Sequence, residues 1–260
     1  LGKLRQAELV QSRRSGTSTW YRLDEQQRSH APSSLWQLIS QALEDPLVKQ
    51  DAMRLPAVLR SRHAQHQWVD SVAGDMERHY SPGRTWESTA RVLAELDNTD
   101  AIIDIASGDG VLADLLKHRC QDYLCVDLNP LVVKAGAERL TEWPQVRFAR
   151  GDMHQLPVKN DTYPVALVLH ALSFSICPEQ VVLEAARVLK PGGRLLLVTL
   201  AAHHEAAVVE AFDHHNQGFA ASELTRWAAQ AGLNTVSCGA ICTERRPPYF
   251  QVLMLHATKP

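Results

Sequence analysis

Residues 101–116, Ala-Ile-Ile-Asp-Ile-Ala-Ser-Gly-Asp-Gly-Val-Leu-Ala-Asp-Leu-Leu, constrain the fold more than any other stretch of the chain. Ala101 to Ile105 is a short apolar run of the kind that forms a strand covered on both faces. Gly108 and Gly110 interrupt it, and a helical pattern follows from Val111. Glycine has no Cβ, so the backbone can turn sharply here and a ligand can come close to the main chain. The helix that follows points its free N–H groups at such a ligand. The expected unit is a strand, a glycine turn and a helix, the start of a nucleotide-binding βαβ arrangement.

Gly-Asp-Gly alone also fits an ordinary turn in any α/β protein, so the next elements decide. Tyr123 to Val126 reads as a second strand and ends in Asp127, about twenty residues beyond the glycines, where a carboxylate can accept both hydroxyls of a ribose. That spacing suits nicotinamide dehydrogenases and S-adenosylmethionine (SAM) methyltransferases alike, and Ala113 is allowed as the third position of a dinucleotide fingerprint. Asp104 separates the two. A carboxylate near the end of the first strand repels a pyrophosphate but suits an ammonium group or a sulfonium cation. A further strand, Gln145 to Ala149, leads into Gly151-Asp152-Met153, where Asp152 can accept a hydrogen bond from an adenine amino group and Met153 can pack on the ring.

With these residues in place the chain resembles the class I SAM-dependent methyltransferases of small-molecule type, over roughly residues 80–260. The resemblance rests on Asp104-Ile-Ala-Ser-Gly-Asp-Gly110, Val126-Asp-Leu-Asn-Pro130, Gly151-Asp-Met153, the strand Val165 to Leu169, and the stretch Glu184 to Val198. It implies a Rossmann-like fold with a mainly parallel seven-stranded sheet and an antiparallel last strand. It also implies a SAM pocket built from Asp104, Ala106, Gly108, Gly110, Asp127, Leu128, Asp152 and Met153. One departure stands out: Ala106 occupies the family's usual first glycine position, and its added methyl group predicts a slightly altered loop that still binds.

At 260 residues the chain is long enough for one large domain and a smaller attachment, and its formal net charge of −2 gives no reason for the whole molecule to coat nucleic acid or anionic lipid. No apolar stretch is long enough to span a bilayer and no secretory pattern opens the sequence, so a cytoplasmic protein is expected. The 5 cysteines, Cys120, Cys125, Cys177, Cys238 and Cys242, contain no CxxC pair and read as reduced thiols. The chain starts at Leu1, without a methionine and inside a helical pattern, and is read as lacking its natural start.

Residues 1–30 form the first of three expected domains. Leu1 to Val10 looks like the end of an amphipathic helix, and Gln11 to Leu23 alternates around a Ser15-Gly16 tip, a hairpin signal. This portion resembles the last helical turn and wing of ArsR-type winged-helix regulators, a truncated remnant in which Arg13, Arg14 and Arg22 would lie near DNA phosphates. A solvated basic hairpin is the other reading. DNA recognition would need a more complete winged helix, because most of the helix expected to enter a major groove would precede Leu1. Residues 31–80 read as a helical connector, with helices from Leu35, over 45–62 and on to about Arg78; Leu35, Trp36, Leu38 and Ile39 would bury against a second copy in a homodimer or within the same chain. Residues 81–260 form the methyltransferase domain.

At the junction, His79 to Trp86 precedes the helix leading into the sheet. Similar enzymes fold this segment over the cofactor's methionine end, where Tyr80 would close the pocket and Arg84 would pair with the cofactor carboxylate. Arg84 fits a surface position near a helix cap equally well. His170, after the fourth strand, reads either as a pocket residue at a strand end or as a structural histidine. A helix is expected over Pro178 to Lys190, then a tight turn at Pro191-Gly-Gly193 into a strand. His203-His204 and Asp213-His214-His215 lack chelating i, i+4 spacing, so no metal is expected, and some of them would line an acceptor pocket.

Methyl transfer from a sulfonium asks for alignment and exclusion of water, and for a base only when the acceptor must lose a proton. The expected function is therefore SAM-dependent methylation of a small molecule, giving S-adenosylhomocysteine (SAH), with no catalytic residue assigned. The alternative is an ArsR-type regulator that senses SAM or SAH through the same pocket, and a missing acceptor cavity would favour it. Arsenite methylation would need converging thiolates, and only Cys177 is expected near the pocket mouth.

Overall fold

The computed structural model describes residues 10–15, 18–23, 68–96 and 100–260. The chain divides into two compact units, residues 1–61 and 62–260. In the first, β1 (Val10–Ser15) and β2 (Ser18–Leu23) pair antiparallel, with Val10 opposite Leu23 and Ser15 opposite Ser18, so the expected hairpin forms. The helix expected before it, and the connector helices expected from Leu35 and over 45–62, lie outside the described residues.

The second unit begins with the short helix α1 (Trp68–Ser71) and a 3-10 turn at Met76–Arg78. The helix expected to run to Arg78 is thus broken, at Gly74, whose φ of +91° a helix cannot hold. Next come α2 (Trp86–Glu95), β3 (Ala101–Ile105), α3 (Val111–Leu116), β4 (Asp122–Asp127), α4 (Pro130–Arg139) and β5 (Val146–Arg150). They are followed by β6 (Tyr163–Leu169), α5 (Pro178–Val188), β7 (Leu189–Leu200), α6 (Ala206–Glu210), α7 (Ala221–Gln230), β8 (Asn234–Thr243) and β9 (Gln251–Thr258).

The seven strands β3 to β9 form one sheet in the order β5-β4-β3-β6-β7-β9-β8. Strands β3 to β7 pair parallel, and β9 is antiparallel to both of its neighbours. The antiparallel last strand is therefore inserted between β7 and β8 and does not form an edge.

Side-chain alternation explains why both faces are covered. Ile103, Ile105, Val126, Ala166, Val168, Leu195 and Leu197 pack on one face with Val181, Val182 and Ala185 of α5 and Leu224, Trp227 and Ala228 of α7. Ile102, Tyr123, Cys125, Val165, Leu167, Leu196 and Val198 pack on the other with Val92 of α2 and Leu112, Ala113 and Leu116 of α3. Asp104 shares this second face with Ile102, two residues away in β3. Helix α5 ends two residues before the expected Lys190, and Pro191-Gly-Gly193 lies inside β7 as an irregularity. Leu189 pairs with Tyr163, but Arg194 pairs with Val165.

The turn that leads into α3 depends on Gly110. It sits at the helix N-cap with φ +78°, and a Cβ there would come within 2.6 Å of Phe148 Cζ. Gly110→Ala combines a left-handed backbone with overpacking, and should cost about 2–4 kcal/mol of stability in urea melts. A midpoint equal to wild type would contradict this account of the turn.

Candidate functional site

The C-terminal ends of β3, β4, β5 and β6 open on one cavity of about 1350 Å³. Ligands bind at this edge of an open α/β sheet because the loops there diverge to either side. Asp104, Ala106, Gly108, Asp127, Leu128, Asp152, Met153, His170 and Arg84 all line it, whereas Gly110 and Tyr80 do not.

Asp104 is buried at the end of β3, and one carboxylate oxygen accepts a hydrogen bond of 2.9 Å from Tyr123 Oη on β4. Burial pushes its pKa up to about 7, against the hydrogen bond from Tyr123, with the Asp127 charge adding to the rise and Arg84 opposing it. A carboxylate so poised gains most from a cation brought beside it.

The loop after β3 holds a sequence of left-handed residues. Ala106 has φ +53°, Gly108 +61° and Gly110 +78°. Ala106 holds the left-handed backbone that glycine adopts freely, at a strain of about 1–2 kcal/mol. Gly108 N donates to Asp127 Oδ2 at 2.9 Å, and Asn129 N donates to Asp127 Oδ1 at 2.9 Å. The carboxylate thereby clamps the loop after β3 to the start of α4. Burial raises its pKa while the main-chain donors lower it.

On the β5 side, Leu128 and Met153 flank the cavity, Leu128 largely exposed at its rim. Asp152 Oδ1 accepts from the main-chain N of His154 at 2.8 Å and pairs with His154 Nδ1 at 2.7 Å. His154 Nε2 in turn lies 2.8 Å from the Oγ of buried Ser175, so the loops after β5 and β6 are tied together.

The segment before α2 covers the glycine loop. Asn129 Nδ2 donates to Asp70 Oδ1, Met76 N donates to Asp109 Oδ2 at 3.1 Å, and Met76 Sδ stands 2.9 Å from where a Gly108 Cβ would lie. Farther along, Ser81 and Arg84 reach the cavity. Burial lowers the Arg84 pKa, opposed by the field of Asp109, Glu77 and Asp104. Tyr80 turns the other way. Its hydroxyl donates to Glu244 Oε2 at 2.9 Å, Arg246 stacks 3.3 Å from its ring centre, and it lines a separate hollow with Trp86. Burial and the Glu244 contact push its pKa up to about 12. Instead of closing the cavity it anchors the segment, because Glu244 also accepts from Gly83 N at 2.6 Å.

The far wall comes from the end of β6 and the stretch after β7: His170, Phe174, Ala207, Ala211, His214 and His215. His203 is turned to Phe250, with ring centres 4.6 Å apart, and is not part of the wall. Among the described residues no three His, Cys, Asp or Glu side chains gather as a metal site. The five cysteines are free thiols and none lines the cavity, Cys177 included.

Sequence reasoning missed Met76, Ser81, His154, Phe174 and Ile176. Only the proximity of Met76 to the Tyr80 segment, and of Phe174 to the β6 end, could have drawn attention to them. The residues present fit SAM: a buried carboxylate for the cationic end, a clamped glycine loop for close approach, and a second carboxylate at the β4 end. The volume also exceeds the roughly 300–1,000 Å³ usual for one ligand.

Comparison with known proteins agrees. Residues 103–197 match the family described as a methyltransferase domain. A ubiquinone/menaquinone biosynthesis C-methyltransferase, UbiE, from Azotobacter vinelandii is 26% identical over 177 residues, 65% of this chain and 68% of that protein. The Haloferax volcanii protein found in complex with the Trm112 methyltransferase activator superposes with a TM-score of 0.62 at 19% identity, covering 75% of this chain and 98% of that one. Geranyl diphosphate C-methyltransferase from Streptomyces coelicolor, solved with Mg²⁺, geranyl diphosphate and SAH, gives 0.56 at 15% identity, covering 66% and 77%. At these identities the solved structures speak for the fold. No helix among the described residues is long and apolar enough to cross a membrane. With the family match, the fold and a cavity that fits the cofactor, the chain is a SAM-dependent methyltransferase whose methyltransferase domain includes residues 103–197.

Proposed function

We propose that the cavity holds SAM along the ends of β3, β4 and β5 and a small, largely apolar acceptor beyond it. The observation that carries this reading is the continuity of the cavity, which runs from Asp104 and Asp127 to Phe174, Ala207, Ala211 and His214. Relatives named for ubiquinone and menaquinone biosynthesis and for geranyl diphosphate also favour an apolar acceptor.

In this arrangement Asp104 faces the ammonium and sulfonium charges and Arg84 takes the carboxylate. Asp127 accepts the ribose hydroxyls, Leu128 and Met153 pack on the adenine, and Asp152 accepts from its amino group. Bound SAM supplies an activated methyl group on a neutral leaving group. The chain's own part is to align the acceptor and to exclude water, through Met76, Ser81 and the far wall. The regulator reading is attached to the hairpin of residues 10–23 alone and has no support among the relatives. Binding of SAH with SAM excluded would revive it.

Two measurements test the cofactor end. Asp127→Ala removes a charged acceptor of two hydroxyls, and should weaken SAM binding at least about 100-fold by calorimetry. An unchanged affinity would place the ribose elsewhere. Asp104 adds a pH dependence. With its pKa near 7 in the free protein, it is protonated below that pH and offers a cation no charge. SAM affinity should therefore fall as pH drops through about 7, approaching tenfold per pH unit below it. Asp104→Asn should flatten the profile at the weaker level, and a wild-type profile that is already flat would contradict the assignment.

A further inference from the structure

After β5 the chain turns through Asp152-Met-His154, and a line of hydrogen bonds crosses from there to the loop after β6. Asp152 Oδ1 accepts from the main-chain N of His154 at 2.8 Å and pairs with its Nδ1 at 2.7 Å, and His154 Nε2 meets Ser175 Oγ at 2.8 Å. The far anchor is firm. Ser175 is fully buried: its Oγ accepts from Cys177 N at 3.1 Å at the start of α5, its O accepts from Asn216 Nδ2 at 2.6 Å, and its N donates to Leu172 O at 3.0 Å. Gln180 Nε2 of α5 also donates to His154 O, at 3.3 Å. The imidazole is therefore placed by α5 and the loop after β6, and it places Asp152 in turn.

The order of donors along this line is fixed. The main-chain donation from His154 holds the Asp152 pKa below its ordinary value, against partial burial, and the imidazole contact adds to the effect. An ionised carboxylate only accepts, so Nδ1 carries the hydrogen, and in the neutral ring Nε2 accepts from the Ser175 hydroxyl. Both donors fall on Oδ1. Among the described residues no hydrogen bond or ion pair reaches Oδ2, although Asp152 lines the cavity with its side chain 50% exposed. One oxygen fixes the orientation of the carboxylate, and the other remains for a ligand.

We infer that His154 is a positioning residue for recognition of the cofactor's base: by holding Oδ1 it presents Oδ2 to the exocyclic amino group of a 6-aminopurine, and so selects that base over a 6-oxopurine. This rests on reading Asp152 as the acceptor for the adenine amino group. A 6-amino group donates to the carboxylate, whereas a 6-oxo group sets a second acceptor against it. The discrimination needs a carboxylate that cannot turn away. An untethered aspartate at a half-exposed position rotates about its side-chain torsions, and its bond to a ligand then costs the entropy of ordering it. With the imidazole tied at both nitrogens, that order exists before the cofactor arrives.

Calorimetry with SAH and with its 6-oxo analogue, S-inosylhomocysteine, tests this. Wild type should bind SAH about 10–100-fold more tightly than the analogue, and Asp152→Ala should abolish the preference. His154→Ala should weaken SAH about tenfold while binding the analogue as wild type does, so that the preference shrinks by the same factor. Unchanged binding of the analogue also reports a folded protein with the rest of the cofactor site intact. His154→Asn keeps an amide N–H in the place of Nδ1 without reaching Ser175, and should show a preference between those of His154→Ala and wild type. Equal weakening of both ligands in His154→Ala, a preference there equal to wild type, or a His154→Asn no better than His154→Ala would each overturn the proposal. A wild type that binds both ligands equally, or an Asp152→Ala that keeps the preference, would instead remove Asp152 as the reader of the base. Absence of SAH binding by wild type would sink the reading of the cavity, and the proposal with it.

Discussion

The Asp127 carboxylate, accepting one main-chain hydrogen bond from Gly108 and one from Asn129, fixes the geometry on which the site depends. Each oxygen holds a loop from a different strand, so the turn after β3 and the start of α4 cannot move independently. Met76 and Asp70 then dock on these two loops, through Asp109 and Asn129 respectively. One side chain thereby sets the floor of the cavity and the footing of the segment that covers it.

Above that floor the sheet divides polarity along the cavity. Asp104 lies at the end of β3, on the face shared with Tyr123 and Cys125, and accepts a hydrogen bond from Tyr123. The charged end is thus buried near the sheet axis. The far wall, after β6 and β7, is aromatic and aliphatic with imidazoles held neutral by burial. The same cavity thus carries carboxylates on one side and aromatic and aliphatic side chains on the other. Glu244 supports the division from behind, since by holding Tyr80 and Gly83 it presents Arg84 to the cavity.

The strands were legible because parallel strands covered on both faces appear as unbroken apolar runs, as in Ile102, Ile103 and Ile105. The glycine turn and Asp127 were legible for a related reason: spacing along one βαβ unit fixes where its loop ends meet. Tyr80 was not. Its direction is set by Glu244 and Arg246, some 160 residues later, and no local pattern carries that contact. A Cβ at Gly110 would press on Phe148, a tertiary constraint on the turn that its spacing does not carry. Pro191-Gly-Gly193 looked like a turn, yet Gly192 and Gly193 exchange main-chain hydrogen bonds with Lys259 and the chain continues as a strand. His154, tied to Ser175, and Met76, tied to Asp109, were missed because each acts through a tertiary partner. The winged-helix expectation reaches only as far as a two-stranded hairpin in the described residues.

The central claim, one cavity with a cofactor end and an acceptor end, is tested most directly by a crystal structure of the chain with SAH. The account predicts the ribose hydroxyls on Asp127, the amino group beside Asp104, and open space between the sulfur and His214. SAH lying against Phe174 and His214 instead, or in the hollow beside Tyr80 and Trp86, would contradict it.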